Sequence, residues 1–307
     1  MRIGDFVFVT QGRNAQSRPL RGLEHDWSTV DRQAIVHAIS VKRRRRSIGW
    51  VQKKALFSGG RIVAAALITG GARRIGRALA LALAEEGWDL AIHYRTSAAD
   101  AQKTVDDARA LGVSATMFEG DLGDPATIES LVDSSYASFP ELRLLINNAS
   151  LFPLGALADT TLEQWDRVMD VNLRAPFALT QNFARVVESG SVINLLDAAV
   201  NRGRTSFVAY SVSKAGLELL TRVAARELAP SIRVNAIAPG PVLPPPGKDE
   251  EHLKNVARRT PMGTPVAVED IVAAMRYLVE TESVTGHVMY VDAGEHLVGG
   301  SPLGGSP

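Results

Sequence analysis

The amino-acid sequence predicts an α/β fold with a parallel sheet, and three observations support this prediction. From residue 61 onward, short β-branched or apolar runs alternate with longer segments of helical period, which is typical of βαβ units. A glycine-containing turn, Thr69–Gly76, connects the first predicted strand to the first predicted helix. That helix has apolar residues at positions 75, 78, 79, 82 and 83, the spacing of a single helix face.

The same two patterns predict the elements in chain order. The first strand spans residues 62–69, and the first helix spans 74–86, where Gly87 ends it. Apolar runs predict further strands at 90–94, 115–118, 144–147, 192–196, 232–236 and 288–291. Helical spacing predicts further helices at 98–111, 128–139, 165–182 and 210–228.

Two segments lack regular patterning and limit the folded unit. Residues 239–265 are rich in proline and glycine and contain a short charged helical piece at 248–259, so we expect a mobile lid there. Residues 298–307 repeat Gly-Gly-Ser-Pro and are expected to form a flexible tail. The single folded domain is therefore expected to span residues 61–297.

The formal net charge of +1 conceals an uneven distribution. Residues 1–60 hold twelve Lys or Arg against four Asp or Glu, whereas the remaining residues carry a net charge of −7. The basic run 42–46 is typical of a solvated, disordered extension, because adjacent like charges repel. The alternatives are a patch for nucleic acid or an anionic surface, a nuclear signal, a transit peptide, and an upstream translated segment without a role. The four acidic residues of this segment argue against a transit peptide. The basic run has no aromatic residues interleaved with it, which argues against nucleic acid as a partner.

Composition excludes several classes of protein. The 307 residues include no cysteine, which excludes a disulfide framework, a thiolate nucleophile and a cysteine-ligated metal site. No stretch approaches the roughly 18 apolar residues of a membrane span, and the apolar run 6–9 is too short for a secretory signal. We expect a soluble, cytoplasmic protein with no metal and no membrane partner.

The turn Thr69–Gly76 is placed to bind a dinucleotide. A pyrophosphate between a strand and a helix start meets backbone N–H groups and the helix dipole. The second predicted strand ends without the acidic residue that would bind a ribose 2′-hydroxyl. Arg95, Thr96 and Ser97 follow instead, and they offer a cation and hydroxyls to a 2′-phosphate, with Arg73 assisting. The sequence therefore favours NADP(H) over NAD(H), the alternative being that Arg95 is an ordinary surface arginine.

Four residues form a candidate catalytic group. Tyr210 and Lys214 are four apart on a predicted helix, so their side chains share one face. An adjacent ammonium would favour the phenolate and bring the tyrosine pKa toward neutral pH. Asp197 ends a predicted strand, and Asn172 closes the run Met-Asp-Val-Asn. Ligands bind at such carboxyl ends of parallel strands.

These residues and others, in order, make residues 61–297 resemble the short-chain dehydrogenase/reductase family. The matching motifs are the loop Thr69–Gly76, Gly120-Asp121-Leu122, Asn147-Asn148-Ala149, Asn172, Tyr210 with Lys214, Arg233-Val234-Asn235 and Pro239-Gly240. The resemblance implies a single-domain, Rossmann-type, doubly wound parallel sheet in three αβα layers. It also implies a homo-oligomer, commonly a tetramer.

The resemblance further implies a role for each site residue. Tyr210 would exchange the proton, Lys214 would bind the nicotinamide ribose and lower the tyrosine pKa, and Asn172 would hold a water in the proton relay. Asp121 would contact the adenine, and Asn148 would support the cofactor. The implied NADP(H) contacts are Gly70, Arg73, Arg74, Ile75, Gly76, Tyr94, Arg95, Thr96, Ser97, Asp121, Leu122, Asn148, Ala149, Tyr210, Lys214, Pro239 and Gly240.

Two departures from the common family pattern resemble the pteridine reductase branch. Arg74 stands in the place of the middle glycine, and Asp197 stands in the place of the usual catalytic serine. By this resemblance Phe152 would stack on a pterin ring, while Ser150 and Arg74 would bind its polar edge and the cofactor phosphates. Asp197 would relay protons to a ring nitrogen together with Tyr210. The alternatives are a Phe152 that caps the core and an Asp197 that caps the following loop.

The sequence thus predicts an NADPH-dependent reductase that transfers hydride to a C=N or C=O bond of a pterin-like substrate. The first alternative is a reductase of ordinary carbonyls, such as 3-oxoacyl thioesters or small ketones. The second is a non-catalytic protein that senses the cofactor or associates with nucleic acid through the basic run 42–46.

Overall fold

The computed structural model describes residues 63–200, 202–245 and 247–298, which lie within one compact unit. Within these residues, seven parallel strands form a single sheet in the order β3-β2-β1-β4-β5-β6-β7. The strands are β1 (Ala65–Ile68), β2 (Asp89–Tyr94), β3 (Ala115–Glu119), β4 (Leu142–Asn147), β5 (Gly190–Leu195), β6 (Ile232–Pro239) and β7 (Val288–Val291).

Eight α-helices connect the strands of the described chain. They are α1 (Arg74–Glu85), α2 (Ala98–Ala110), α3 (Pro125–Ser138), α4 (Leu162–Met169), α5 (Ala175–Val186), α6 (Val208–Leu228), α7 (Glu250–Ala257) and α8 (Val268–Glu280). A π-helical turn, Asp170–Arg174, joins α4 to α5, and a 3-10 turn, Glu295–Leu297, follows β7.

The sheet is covered on both faces, which confirms the predicted three-layer, doubly wound fold. Alternate residues of β1 point to opposite sides: Ala66 and Ile68 join the core under α1, α2 and α8, and Ala65 and Leu67 join the core under α3, α5 and α6. All four are buried, as expected for a parallel strand with helices on both faces. The strand order reverses between β1 and β4, so a crevice opens beyond their carboxyl ends.

The sequence predicted one continuous helix over residues 165–182, and this prediction is wrong in one respect. The structure has two helices there, α4 and α5, separated by the π-helical turn. Pro176 lacks the N–H that would bond to the carbonyl of Asn172 in a continuous α-helix. The wider π-helical turn accommodates the chain without this hydrogen bond. Asn172 lies within the turn and is buried. Such turns are frequent at functional sites.

Helix α8 was not predicted, although the signal for it exists. Ile271, Val272, Met275 and Leu278 recur with helical spacing, and all four are buried against the sheet. The strand boundaries differ from the predicted ones by a few residues, as at β1, which begins at Ala65.

The segment 239–265 contains the expected short helix, α7, whose Leu253 and Ala257 are buried. The helix therefore packs on the domain through one face. Mobility of this segment stays a prediction. The predicted basic extension 1–60, the start of the first strand at 62 and the tail beyond 298 lie outside the described residues. None of the described helices combines the length and apolar character needed to cross a membrane.

Candidate active site

The loop after β1 is shaped by close backbone approaches. Gly70 has a positive φ of 62°, which favours glycine. A Cβ on Gly76 would lie 2.3 Å from the carbonyl oxygen of Gly70 and 2.6 Å from Nδ2 of Asn148. That amide donates hydrogen bonds to the carbonyls of Thr69, at 2.8 Å, and Gly70, at 3.1 Å. Asn148 therefore supports the turn Thr69–Gly76, named here the phosphate loop. Only glycine fits at position 76, in the first turn of α1.

His93 fixes the same loop from β2. The N–H of Gly70 donates to Nδ1 of His93 at 3.2 Å, so the ring proton lies on Nε2, which donates to the carbonyl of Gly120 at 3.1 Å. Burial lowers the pKa of His93 to about 4, although the bond to Gly120 opposes this shift. The imidazole is neutral at physiological pH and acts as a structural bridge between β1, β2 and β3.

A cleft of about 370 Å³ opens at the carboxyl ends of the strands, next to the reversal of strand order. It brings together most of the predicted cofactor residues from four separate segments of the chain. The lining includes Gly70, Arg73, Arg74, Ile75, Gly76, Tyr94, Arg95, Thr96, Ser97, Asp121, Leu122, Asn148, Ala149 and Ser150. Tyr210, Lys214, Pro239 and Gly240 lie outside this lining.

The rim of the cleft near β2 carries the cations and hydroxyls expected for a 2′-phosphate. Arg73, Arg95 and Thr96 are all exposed. Nε of Arg73 forms a 3.6 Å ion pair with Asp100. Residues 95–99, directly after β2, include no acidic residue. These groups and the glycine cradle fit NADP(H), which would place its pyrophosphate at the start of α1 and its 2′-phosphate beside Arg95.

Asp121, the predicted adenine contact, is held by a residue that no motif indicated. Both carboxylate oxygens accept from Nη2 of Arg167 at 2.7 Å, and one also accepts from the N–H of Gly123 at 2.8 Å. Burial acts to raise the pKa of Asp121, but these two donors hold it below its ordinary value. Arg167 also lines the cleft, so the part of the cleft predicted to bind the adenine has a paired cation as well as a carboxylate.

Arg74 connects the phosphate loop to the lid segment. Its φ of 53° is left-handed, which is rare for a residue with a side chain. Its guanidinium donates to the carbonyl of Pro244 at 2.9 Å. The predicted contacts of Arg74 with substrate and phosphate stay predictions, since here the side chain engages the lid segment.

Tyr210 and Asp197 form a hydrogen-bonded pair. The phenol donates to Oδ2 of Asp197 at 2.9 Å, and the other oxygen accepts from the N–H of Ala199 at 2.7 Å. Asp197 therefore caps the following loop and also faces the phenol. Burial and the Asp197 charge raise the pKa of Tyr210 well above its ordinary value. The phenol is protonated at neutral pH.

Lys214 lies one helical turn further along α6. Its Nζ donates to the carbonyl of Leu195 at 2.7 Å and is 5.7 Å from the centroid of the Tyr210 ring. Burial lowers the pKa of Lys214 to about 8, against the opposing charge of Asp197. The sequence predicted that Lys214 would lower the tyrosine pKa. In this structure burial and Asp197 raise the pKa of Tyr210 instead.

Asn172 connects the π-helical turn to two neighbours. Its side chain exchanges two hydrogen bonds with the backbone of Leu151, at 2.8 and 2.9 Å, and donates to Oγ of Ser213 at 3.1 Å. These bonds position the loop after β4 against α6. The predicted water in a proton relay at Asn172 stays a prediction.

Phe152 forms part of an aromatic wall beside the phenol. Its ring stacks on Phe207 with centroids 4.1 Å apart and meets Tyr210 edge-on at 4.5 Å. It is 44% exposed, which argues against the core-capping alternative. The N–H of Val208 donates to the carbonyl of Gly155 at 3.0 Å and ties the Phe152 loop to the start of α6. No motif singled out Phe207.

A parallel α/β domain with this cleft, phosphate loop and Tyr–Lys helix has the features of an NADP-dependent oxidoreductase. A family model described as "Enoyl-(Acyl carrier protein) reductase" matches residues 70–296. A "Short-chain type dehydrogenase/reductase" of Picea abies is 32% identical over 256 residues, covering 77% of this chain and 93% of its own. The chain belongs to the short-chain dehydrogenase/reductase family, which sets aside the non-catalytic alternative.

Two further comparisons bear on cofactor and substrate. The "3-oxoacyl-[acyl-carrier-protein] reductase FabG" of Staphylococcus aureus (strain Mu50) is 31% identical over 243 residues, covering 76% of this chain and 98% of its own. The crystal structure of "FolM Alternative dihydrofolate reductase 1" from Brucella canis, complexed with NADP, superposes with a TM-score of 0.73 at 33% identity. It covers 78% of this chain and 97% of that one. The cofactor of this enzyme is NADP(H).

The buried His93 makes stability depend on pH. Its folded pKa of about 4 lies below the unfolded value of about 6.5, so only the unfolded chain gains a proton between these values. The free energy of unfolding therefore falls as pH drops from 6.5 toward 4. From pH 7 to pH 5 this one group should remove about 2 kcal/mol. Urea unfolding of wild-type protein and His93→Gln at both pH values measures it, and an equal loss in both proteins would refute the assignment.

Proposed function

We propose that this enzyme is an NADPH-dependent pteridine reductase acting on dihydropterin or dihydrofolate-like substrates. The observation that carries the proposal is Asp197, whose carboxylate accepts a 2.9 Å hydrogen bond from the Tyr210 phenol beside the aromatic ring of Phe152. An aromatic wall suits a flat heteroaromatic ring. A carboxyl coupled to the phenol provides a second proton-carrying group for a ring nitrogen, which a serine would not provide.

The chain's own residues supply the proton and the orientation. NADPH, when bound, supplies a hydride to the carbon of the C=N bond. Tyr210 gives its phenolic proton to the nitrogen, and its raised pKa keeps it protonated until the substrate is in place. Asp197 is 16% exposed, so it can pass a replacement proton from outside to the phenol. Lys214 holds the nicotinamide ribose and, as an ammonium, favours the transient phenolate.

The likeness to the Brucella canis structure supports this substrate class, because that protein is described as an alternative dihydrofolate reductase and is 33% identical. A second candidate function has support as well. The 31% identity to the Staphylococcus aureus 3-oxoacyl reductase favours an ordinary carbonyl substrate, with Asp197 replacing serine without a change of chemistry.

We also propose that the enzyme is a homotetramer in the cytoplasm. The tetramer is supported by large apolar side chains that are exposed on neighbouring helices, namely Phe177 on α5 with Leu219 and Val223 on α6. A surface of this kind is typical of a subunit interface. The cytoplasmic location rests on the cysteine-free composition.

A substrate panel separates the two candidate functions. NADPH oxidation should proceed with dihydrobiopterin, dihydrofolate or dihydromonapterin and be much slower with a 3-oxoacyl thioester or small ketones. Asp197→Ser sharpens the test, because a pterin reductase should lose most turnover while a carbonyl reductase should keep it. Activity on the thioester alone, retained in Asp197→Ser, would exclude the pterin proposal.

Tyr210→Phe removes the proton donor and leaves the ring in place. We expect kcat to fall by about a hundredfold or more, since positioned acids contribute about 10²–10⁴ to the rate. The Kd for NADPH, measured by fluorescence titration, should change by less than roughly twofold, because binding needs no proton transfer. Tyr277→Phe, at an exposed tyrosine of α8, is the matched control. Normal turnover in Tyr210→Phe would rule out the donor role.

Arg95→Ala tests the 2′-phosphate assignment. Losing a charge-assisted contact should weaken NADPH binding by about tenfold or more, while NADH binding, which lacks that phosphate, should change by less than roughly twofold. Both affinities are measured by fluorescence titration, with Arg95→Lys as the charge-retaining control. An equal fall for the two cofactors would place the 2′-phosphate elsewhere.

A further inference from the structure

We propose that Arg204 and Glu295 are positioning residues that balance the charge on the Tyr210–Asp197 pair and so set the pH range in which the enzyme delivers its proton. The proposal rests on the proton-donor role proposed for Tyr210. It does not depend on which substrate class accepts the proton.

The four side chains form one continuous chain of contacts. Nη2 of Arg204 lies 2.9 Å from Oε1 of Glu295 and 3.5 Å from Oδ1 of Asp197. The other oxygen of Asp197 accepts the hydrogen bond from Tyr210. One guanidinium thus bridges two carboxylates, one of which faces the phenol directly.

Arg204 is fixed to the helix that carries Tyr210. Its backbone N–H donates to Oγ of Ser211 at 2.8 Å, and Ser211 is the residue after Tyr210. The N–H of Ser211 in turn donates to the carbonyl of Phe207, within the first turn of α6. A rigid link of this kind lets the guanidinium keep its place while the phenol gives up and regains its proton.

Glu295 reaches the site from the turn after β7. The buried carboxylate of Asp292 accepts from the N–H groups of Gly294, at 3.0 Å, and His296, at 2.6 Å, and so shapes the 3-10 turn that presents Glu295. Arg202 approaches the same oxygen of Glu295 at 3.5 Å and also donates to the carbonyl of Val298. The end of the described chain is therefore tied to the catalytic centre through charge.

The charges in this cluster act strongly because water is largely excluded. Glu295 is 12% exposed and Arg204 is 24% exposed. Burial raises the pKa of Glu295 despite the two arginines, whereas Asp197 and Glu295 raise the pKa of Arg204 against its burial. Arg204 acts to lower the pKa of Tyr210, whereas Glu295 acts to raise it.

In the described part of the chain, the ionisable groups around Asp197 come from three elements. Tyr210 and Lys214 belong to α6, Arg204 follows β5, and Glu295 follows β7. Removing the Arg204 cation should raise the proton affinity of the pair, and removing the Glu295 anion should lower it. The two substitutions should therefore act in opposite directions.

The test is the pH profile of kcat in the NADPH-loaded enzyme, with whichever substrate it turns over. We expect Arg204→Met to move the profile up by about one pH unit and Glu295→Gln to move it down by about half a unit. Arg204→Lys, which keeps the charge, should stay near the wild-type profile. Arg143→Met removes half of an ion pair at the amino end of β4 and is the control for an unrelated charge.

A substrate-free measurement separates this proposal from the proposed function. The tyrosinate absorbance of each protein, minus that of the matching Tyr210→Phe protein, should rise at lower pH in Glu295→Gln than in wild type. Lower kcat with unmoved profiles, or shifts in the same direction, would reduce Arg204 and Glu295 to structural roles and overturn the proposal. If Arg204→Met does not fold, an unmoved profile in Glu295→Gln alone overturns it. Failure with pterins and a shifted profile with a ketone would overturn only the substrate class.

Discussion

The joint between β1 and β4 determines where the rest of the site lies. Oγ1 of Thr69 accepts hydrogen bonds from the N–H groups of Asn148, at 2.9 Å, and Ala149, at 3.0 Å, and donates to the carbonyl of Ile146 at 3.3 Å. Each such bond contributes about 1 kcal/mol to stability, and together they also fix the local geometry. They fix the loops after the two strands at the place where the strand order reverses. The phosphate loop and the loop that carries Phe152 start from this point.

The catalytic side of the cleft is governed by burial. Tyr210 and Lys214 are shielded from water, so burial raises the pKa of the first and lowers that of the second to about 8. Asp197 acts on both groups, and Arg204 and Glu295 act on Tyr210, through a medium that screens charge weakly. The protonation of the site is thus a property of five side chains from three elements, and no pair among them accounts for it.

The sequence predicted the local features well. Strand and helix periods depend on neighbouring residues, and the positive φ of Gly70 is a local requirement of the turn after β1. The break between α4 and α5 was missed because a π-helical turn keeps almost the same apolar spacing as a helix. Arg167 and Phe207 were missed because a lone arginine or phenylalanine carries no spacing signal, and their importance comes from Asp121 and Phe152, which lie far away in sequence.

By itself, the sequence determined the order of the strands and of most helices, the dinucleotide loop, the preference for a 2′-phosphate and the Tyr210–Lys214 pair, since all of these follow from spacing within a few turns of chain. Only the tertiary structure decided the direction in which the Tyr210 pKa moves and the partners of its carboxylate. The physical reason is that electrostatic partners are chosen by proximity in space. Glu295 and Arg204 are 91 residues apart in the chain and 2.9 Å apart in the fold.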